Sequence, residues 1–383
     1  MRYLVPGPVP GFDDPRSWLL SAAGLPNPAE VNTVIGHGRF TGGAAMMHRD
    51  TRYPDALLVY VVHTSAELVG RIQNEPERAD HNLATELAVI RRADLVVGVG
   101  PLLAEEAERM ARRARAEPPP VHQLIPGVAA QPAPHYSAQP PRQWNVLVFG
   151  RMHENHKGAH NAAAIVKLLH ERGINVRLTV RGARPGDVLE QQVELSQIAG
   201  GLVFVKPYTP DPAEISSDLR GADLVLATAL HEDFGLVTTE AAGHGVPFQV
   251  GKDTGADIFL RDPARVPAKL AHGSVVPGSS DNVELWANRV QKVFANISEE
   301  RHRALRLQAY LSGAYTWRGA AMSMMDAAEA VRASGTKVSS TRSPQSVSFP
   351  ATISAAARRT SMPPSTPPPK PPTPRPGTRG LGR

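Results

Sequence analysis

Nine short apolar runs, at residues 31–35, 57–62, 94–99, 121–125, 144–149, 174–180, 202–206, 223–228 and 246–250, alternate along this chain with stretches of helical pattern. The runs show little polar alternation, as expected of parallel strands buried on both faces. Helical periodicity is clearest over residues 81–92, 102–115, 159–172, 211–219 and 282–296. Strand–helix alternation of this kind restricts the chain to an α/β architecture of doubly wound, parallel, Rossmann-like sheets. Residues 126–143 interrupt the pattern with Pro126, Gly127, Pro132, Pro134, Pro140 and Pro141 and separate two such sets. The expected organisation is an irregular segment over 1–30, a shortened Rossmann-like domain over 31–130, a linker over 131–143 and a second Rossmann-like domain over 144–315. A helix over 316–332 and a disordered tail over 333–383 complete it.

The tail dominates the charge. Residues 334–383 hold eight Lys and Arg and no acid, more than the net +6 of the whole chain, so the remainder is slightly acidic. The high pI therefore belongs to the tail and argues only weakly for nucleic acid as a partner of the folded part, for which none is expected. The tail is rich in Ser, Thr and Pro and cannot bury enough apolar surface to offset its chain entropy. It is expected to have polyproline II character and to be open to a partner. No apolar run approaches the roughly 18 residues of a membrane span, and the first residues lack a basic segment followed by an apolar one. The chain contains no cysteine, which excludes disulfides, thiolate metal sites and cysteine nucleophiles. These features together read as cytoplasmic. The oligomeric state is not encoded in any pattern found.

In open α/β sheets the ligand lies beyond the carboxyl ends of the strands, which directs attention to the loops after residues 62, 149, 180, 206 and 228. The last of these reads His231-Glu232-Asp233-Phe234-Gly235-Leu236-Val237-Thr238-Thr239-Glu240, followed by small residues and Gly245-Val246-Pro247. Gly235 lets the backbone come close to a ligand. The free N–H groups of a helix starting at Leu236 and Val237 suit a phosphate. Glu240, about one turn in, can accept hydrogen bonds from a ribose diol. After residue 149, Gly150-Arg151 and Lys157-Gly158 bracket another helix start, with two cations suited to a pyrophosphate. His153, His156 and His160 share no helical face, so no metal is expected there.

The segment from Glu232 to Pro247 resembles the donor-site signature of family-four retaining glycosyltransferases of the GT-B type, in which Glu, Phe-Gly, a second Glu and Gly-x-Pro recur. The Gly-Arg…Lys-Gly pair is similar to that family's leaving-group site, with a spacing about one residue longer. The resemblance covers roughly residues 30–332. It implies catalytic roles for His63 and Glu232, and donor binding by Arg151, Lys157, Arg181, Phe234, Gly235, Leu236, Val237 and Glu240. It also implies an acceptor-side role for His37 and Arg39. By analogy, Arg181-Gly182-Ala183 and the stretch Val205-Lys206-Pro207-Tyr208 border the nucleobase. Tyr315-Thr316-Trp317 is similar to the family's closing segment, and Met322, Met324 and Met325 after it read as core filler. The family's first strand and Gly-Gly loop have no match in about thirty residues of Gly/Pro-rich sequence, hence the shortened first domain.

The implied reaction is metal-independent transfer of a hexosyl group from a nucleoside diphosphate sugar to a hydroxyl, with retention and without a further cofactor. The alternative is a nucleotide-sugar sensor that binds without turnover.

Overall fold

The computed structural model describes residues 19, 24–134, 136, 141–150 and 158–335. In chain order the strands and helices are β1 (Thr33–His37), α1 (Gly38–Thr51), β2 (Leu57–Val62), α2 (Ala66–Ile72), α3 (Pro76–Ile90), β3 (Leu95–Val99), α4 (Pro101–Ala114) and β4 (Val121–Leu124). After the linker come β5 (Trp144–Phe149), α5 (Ala159–Glu171), β6 (Val176–Ala183), α6 (Val188–Ala199), β7 (Val203–Pro207), α7 (Pro212–Arg220), β8 (Leu224–Ala227) and α8 (Leu236–Gly243). The chain continues through β9 (Phe248–Gly251), α9 (Gly255–Arg261), α10 (Ala268–Ala271), β10 (Val275–Val276), α11 (Val283–Ala295), α12 (Ile297–Ala314) and α13 (Trp317–Ala333). All nine apolar runs become strands. The two-residue β10, too short to carry a period, is the addition.

The strands form two wholly parallel sheets. One has the order β1-β2-β3-β4 and the other β10-β9-β8-β5-β6-β7. The second is the Rossmann arrangement, whose strand order reverses between β5 and β8. The sequence Leu-Leu-Val-Tyr-Val-Val of β2 is buried at every position, because helices cover both faces of its sheet. α1, α3 and α4 pack on one face through residues such as Leu83, Ile90 and Leu103. α13 packs on the other through Ala328 and Val331. Of the three methionines expected as core filler, only Met324 packs there. Met322 and Met325 are exposed, because only one stripe of α13 faces the sheet.

The second sheet is sandwiched likewise, with α5, α6 and α11 on one side and α7, α8, α9 and α12 on the other. Its edge strand β7 is not left open. Ser196 Oγ and Gln192 Oε1 of α6 accept from the N–H groups of Val203 and Val205, at 3.0 and 3.3 Å. This blunts an otherwise unpaired edge.

Two passages of chain join the halves and lie against each other. Val128 N–H donates to Tyr315 O at 2.7 Å. A Cβ at Gly127 would stand 2.1 Å from the Trp317 nitrogen, so only glycine permits this crossing. Thr316 caps α13 by accepting from Gly319 N at 2.9 Å.

Candidate active site

The switch point between β5 and β8 carries the signature loop. Thr228 Oγ1 donates to Gly158 O at 2.8 Å, tying the loop after β8 to the start of α5. Gly158 has φ of 78°, and a Cβ there would lie 2.0 Å from Thr228 O. Gly235 caps α8 with φ of 80°, a left-handed conformation in which a side chain costs strain. Gly255 N, at the head of α9, donates to Glu232 O at 3.0 Å and pins the loop from behind. The first-turn N–H groups of Leu236 and Val237 stand at an exposed and a half-buried position beside the crevice. One turn on, the Glu240 side chain reaches solvent and its carboxylate takes no hydrogen bond from a described residue. The surrounding walls push its carboxyl above the ordinary value.

The other sheet contributes the ends of β1 and β2. His37 closes β1 and His63 follows β2. Their rings stack at 5.1 Å between centroids, and Nδ1 of His37 lies 2.8 Å from Nε2 of His63. Desolvation holds both imidazoles below the usual 6.5, with His37 a further cause for His63. A neutral pair is the consequence, one ring donating and the other accepting. Arg39 stands in the first turn of α1, half-buried, its guanidinium 4.4 Å over the Phe40 ring.

Two contacts bring these ends together with the signature loop. Ser65 N–H donates to Asp233 Oδ2 at 3.1 Å, while Asp233 Oδ1 lies 2.8 Å from His231 Nε2. The Phe234 ring fills the space over Gly100, where a Cβ would approach within 2.4 Å of Cδ2. His63 is thereby held near the loop that bears Glu232 and Gly235. Sequence reasoning did not single out Ser65, Gly100, His231 or Asp233. Asp233 lies inside the signature, but nothing local names its partner 168 residues away.

Two expected donor residues are placed otherwise. Arg181, 6% exposed, gives its guanidinium to Asp218 Oδ2 at 2.6 Å, Pro207 O at 3.0 Å and Glu214 Oε2 at 3.1 Å. Phe234, 4% exposed, lies edge-on to Phe259 in the core beneath α8. Neither side chain is available to a ligand in this arrangement. Near Arg181, the backbone of Gly182 takes φ of 131° at an irregularity in the β6–β7 register, and Tyr208 is exposed. Arg151 and Lys157 lie outside the described residues. Among the described residues no three His, Asp or Glu converge on a point that could hold a metal ion, and no helix is long and apolar enough to cross a membrane.

A family model described as "Family 4 Glycosyltransferase in conflict systems" matches residues 2–324. The chain belongs to this family. The glycosyltransferase is 26% identical over 342 residues to the D-inositol 3-phosphate glycosyltransferase of Mycobacterium leprae (strain Br4923), covering 83% of this chain and 75% of that one. Among solved structures, it resembles sucrose-phosphate synthase from Thermosynechococcus elongatus with a TM-score of 0.61 and 19% identity, covering 78% of this chain and 73% of that one. It also resembles Anabaena HepE in complex with UDP-glucose, with a TM-score of 0.57 and 17% identity over 77% and 78% of the two chains. These likenesses establish the GT-B fold of the glycosyltransferase.

Proposed function

We propose that this glycosyltransferase moves a hexosyl group from a nucleoside diphosphate sugar to a hydroxyl acceptor, with retention and without a metal. The supporting observation is Glu240, a carboxylate without a partner among the described residues, one turn beyond a glycine-capped helix start at the switch point of a Rossmann sheet. Glu240 would accept from the ribose diol. The N–H groups of Leu236 and Val237, with Arg151 and Lys157, would hold the diphosphate. Glu232 would contact hydroxyls of the sugar, and the neutral His63 would sit beside the anomeric carbon, oriented by His37.

In the reaction the bond from the anomeric carbon to the diphosphate oxygen breaks, and its electron pair leaves with the nucleotide. Negative charge grows on the diphosphate, where the helix start and two cations stabilise it, a task a metal ion performs elsewhere. The acceptor oxygen bonds to the same face of the carbon, and its proton passes to the departing phosphate. The lack of cysteine suits a reducing compartment, and we place the reaction in the cytoplasm.

The test is a screen of UDP-, GDP- and ADP-hexoses that follows diphosphate release with and without EDTA and reads the anomeric configuration of the product by NMR. Release insensitive to EDTA with a retained anomer is the expected result. Tight donor binding without transfer or hydrolysis would favour the sensor reading instead. An inverted anomer or EDTA-dependent turnover would overturn the mechanism.

A further inference from the structure

A cavity of about 340 Å³ opens at the end of the larger sheet remote from the signature loop, with Gln143, His170, Asn175, Arg177, Leu202 and Phe204 among its walls. Ligand pockets begin at roughly 300 Å³. Residues 143, 175 and 202 immediately precede β5, β6 and β7, and His170 lies in the last turn of α5. The six residues of β5 put about 20 Å between this end and the carboxyl ends where the signature loop stands. Val176, Leu178, Val203 and Val205 belong to the core under α5 and α6. The period of two therefore turns Arg177, Leu202 and Phe204 to the opposite face. On that face Asp218 of α7 engages Arg181 and Lys206, while Leu202 and Phe204 are left 61% and 40% exposed.

Arg177 is half-buried, with its guanidinium 5.6 Å from the centre of the Phe204 ring. It makes no hydrogen bond or ion pair with a described residue, and its Nε is buried without a partner. No Asp or Glu is among the lining residues to balance it. His170 Nε2 lies 2.8 Å from Val176 O and must donate to it, which leaves Nδ1 without a described partner. A Cβ at Gly201 would stand 3.4 Å from that Nδ1, so the glycine keeps room beside it. The amides of Gln143 and Asn175 form a fixed rim, Nε2 donating to Oδ1 at 3.0 Å.

We propose that this cavity is a second ligand site, which takes a small organic anion: a carboxylate or phosphate ester on an apolar, ring-sized body. A guanidinium partly withdrawn from water with no counter-charge is costly by itself. Its terminal N–H groups suit an oxyanion of either kind. The Phe204 ring holds its plane and, with Leu202, supplies the apolar wall on which the body of the ligand lies. His170 Nδ1 is open to a further polar group of the ligand. The site stands apart from the donor loop and does not depend on the transferase reading.

Ligand-observed NMR titrations of the full chain test this. The probes are 3-phenylpropionate and phenyl phosphate, with acetate, inorganic phosphate and benzyl alcohol as their anionic and apolar halves. At least one whole probe should bind about tenfold more tightly than benzyl alcohol, the worth of a charge-assisted hydrogen bond, and more tightly than its own anionic half. The better of the two identifies the oxyanion. Arg177→Met should bring its affinity to within about twofold of benzyl alcohol, and Arg177→Lys should recover part of the loss. Phe204→Ser, at an exposed position, should weaken it by about fivefold through the lost apolar wall. Circular dichroism establishes that each variant is folded.

Equal affinity for the whole probes and their halves overturns the site. An affinity that survives Arg177→Met places the probe elsewhere and overturns it as well. A wild type that sediments as a dimer and binds no probe, beside a monomeric Phe204→Ser, would assign Leu202 and Phe204 to a second copy of the chain instead.

Discussion

The Ser65 backbone N–H donates to Asp233 Oδ2 at 3.1 Å, joining the loop after β2 to the loop after β8. Asp233 stands between Glu232 and Phe234, so this bond sets how closely the signature loop meets the segment bearing His63. A charged acceptor makes it worth about 1.5–3 kcal/mol. Asp233→Ala should lower kcat/KM for transfer by about tenfold or more while affinity for the donor's nucleoside diphosphate changes far less. Steady-state kinetics beside a titration of that nucleotide checks this. Equal losses in both would assign Asp233 to the donor site itself.

Gly100 meets Phe234 at the same seam. Its φ of 85° and the 2.4 Å approach of a Cβ to the Phe234 ring penalise any side chain twice. Gly100→Ala should cost roughly 2–4 kcal/mol of stability, from backbone strain and overpacking together. Urea denaturation measures it, and an unchanged midpoint would mean that the seam yields.

Arg181 holds α7 against the sheet through Asp218 and Glu214. Arg181→Ala leaves the Asp218 carboxylate buried with Lys206 as its remaining cation. A loss of about 3 kcal/mol is expected, near the low end for breaking a buried pair. Affinity for the donor's nucleoside diphosphate should stay within about twofold. A tenfold loss of that affinity in a fully stable protein would return Arg181 to the donor site.

Glu240 contributes a pH signature. Its carboxyl is raised above the ordinary 4.5 by burial, and ribose hydroxyls donate best to the ionised form. Nucleoside diphosphate affinity should fall as pH drops, beginning above the usual carboxylate range. Glu240→Gln should bind about tenfold more weakly at pH 7.5 and lack the acid-side fall. Titrations from pH 4.5 to 7.5 decide it. An acid-side fall that is the same in both proteins would exclude Glu240 as its source.

Glu86 affects stability in the opposite sense. Its folded-state value of about 7 exceeds the ordinary 4.5, so folding favours its protonated form. The resulting stability is fully present below about 4.5 and is lost as pH rises through about 7. Between pH 5.5 and 8 this removes about 2 kcal/mol, at about 1.4 kcal/mol per unit. Glu86→Gln should therefore gain about that much relative to wild type at pH 8 compared with pH 5.5. Urea denaturation at the two pH values tests the difference, and parallel behaviour of the two proteins would contradict it.

The sequence by itself determined the features that depend on near neighbours. The runs that become β1 to β9 are apolar over five to seven residues because both sheet faces are covered, and that is legible locally. Gly235, the helix start at Leu236 and Glu240 one turn on form a unit of a few residues, so the glycine-capped helix start was legible from their spacing. Tertiary structure decided which side chains are buried against partners and which stay exposed. Arg181 and Phe234 look like binding residues in sequence, yet Asp218 and Gly100, far along the chain, claim them. His37 and His63 become a pair only because β1 and β2 lie side by side in register. Tyr60 of β2 and Val89 of α3 meet at Gly42 only once α1 and α3 pack on one face of β2. The physical reason is range. Strand burial and helix capping are settled within a turn or two of chain, whereas a side chain's charge partner is whatever the packed fold brings within hydrogen-bond reach.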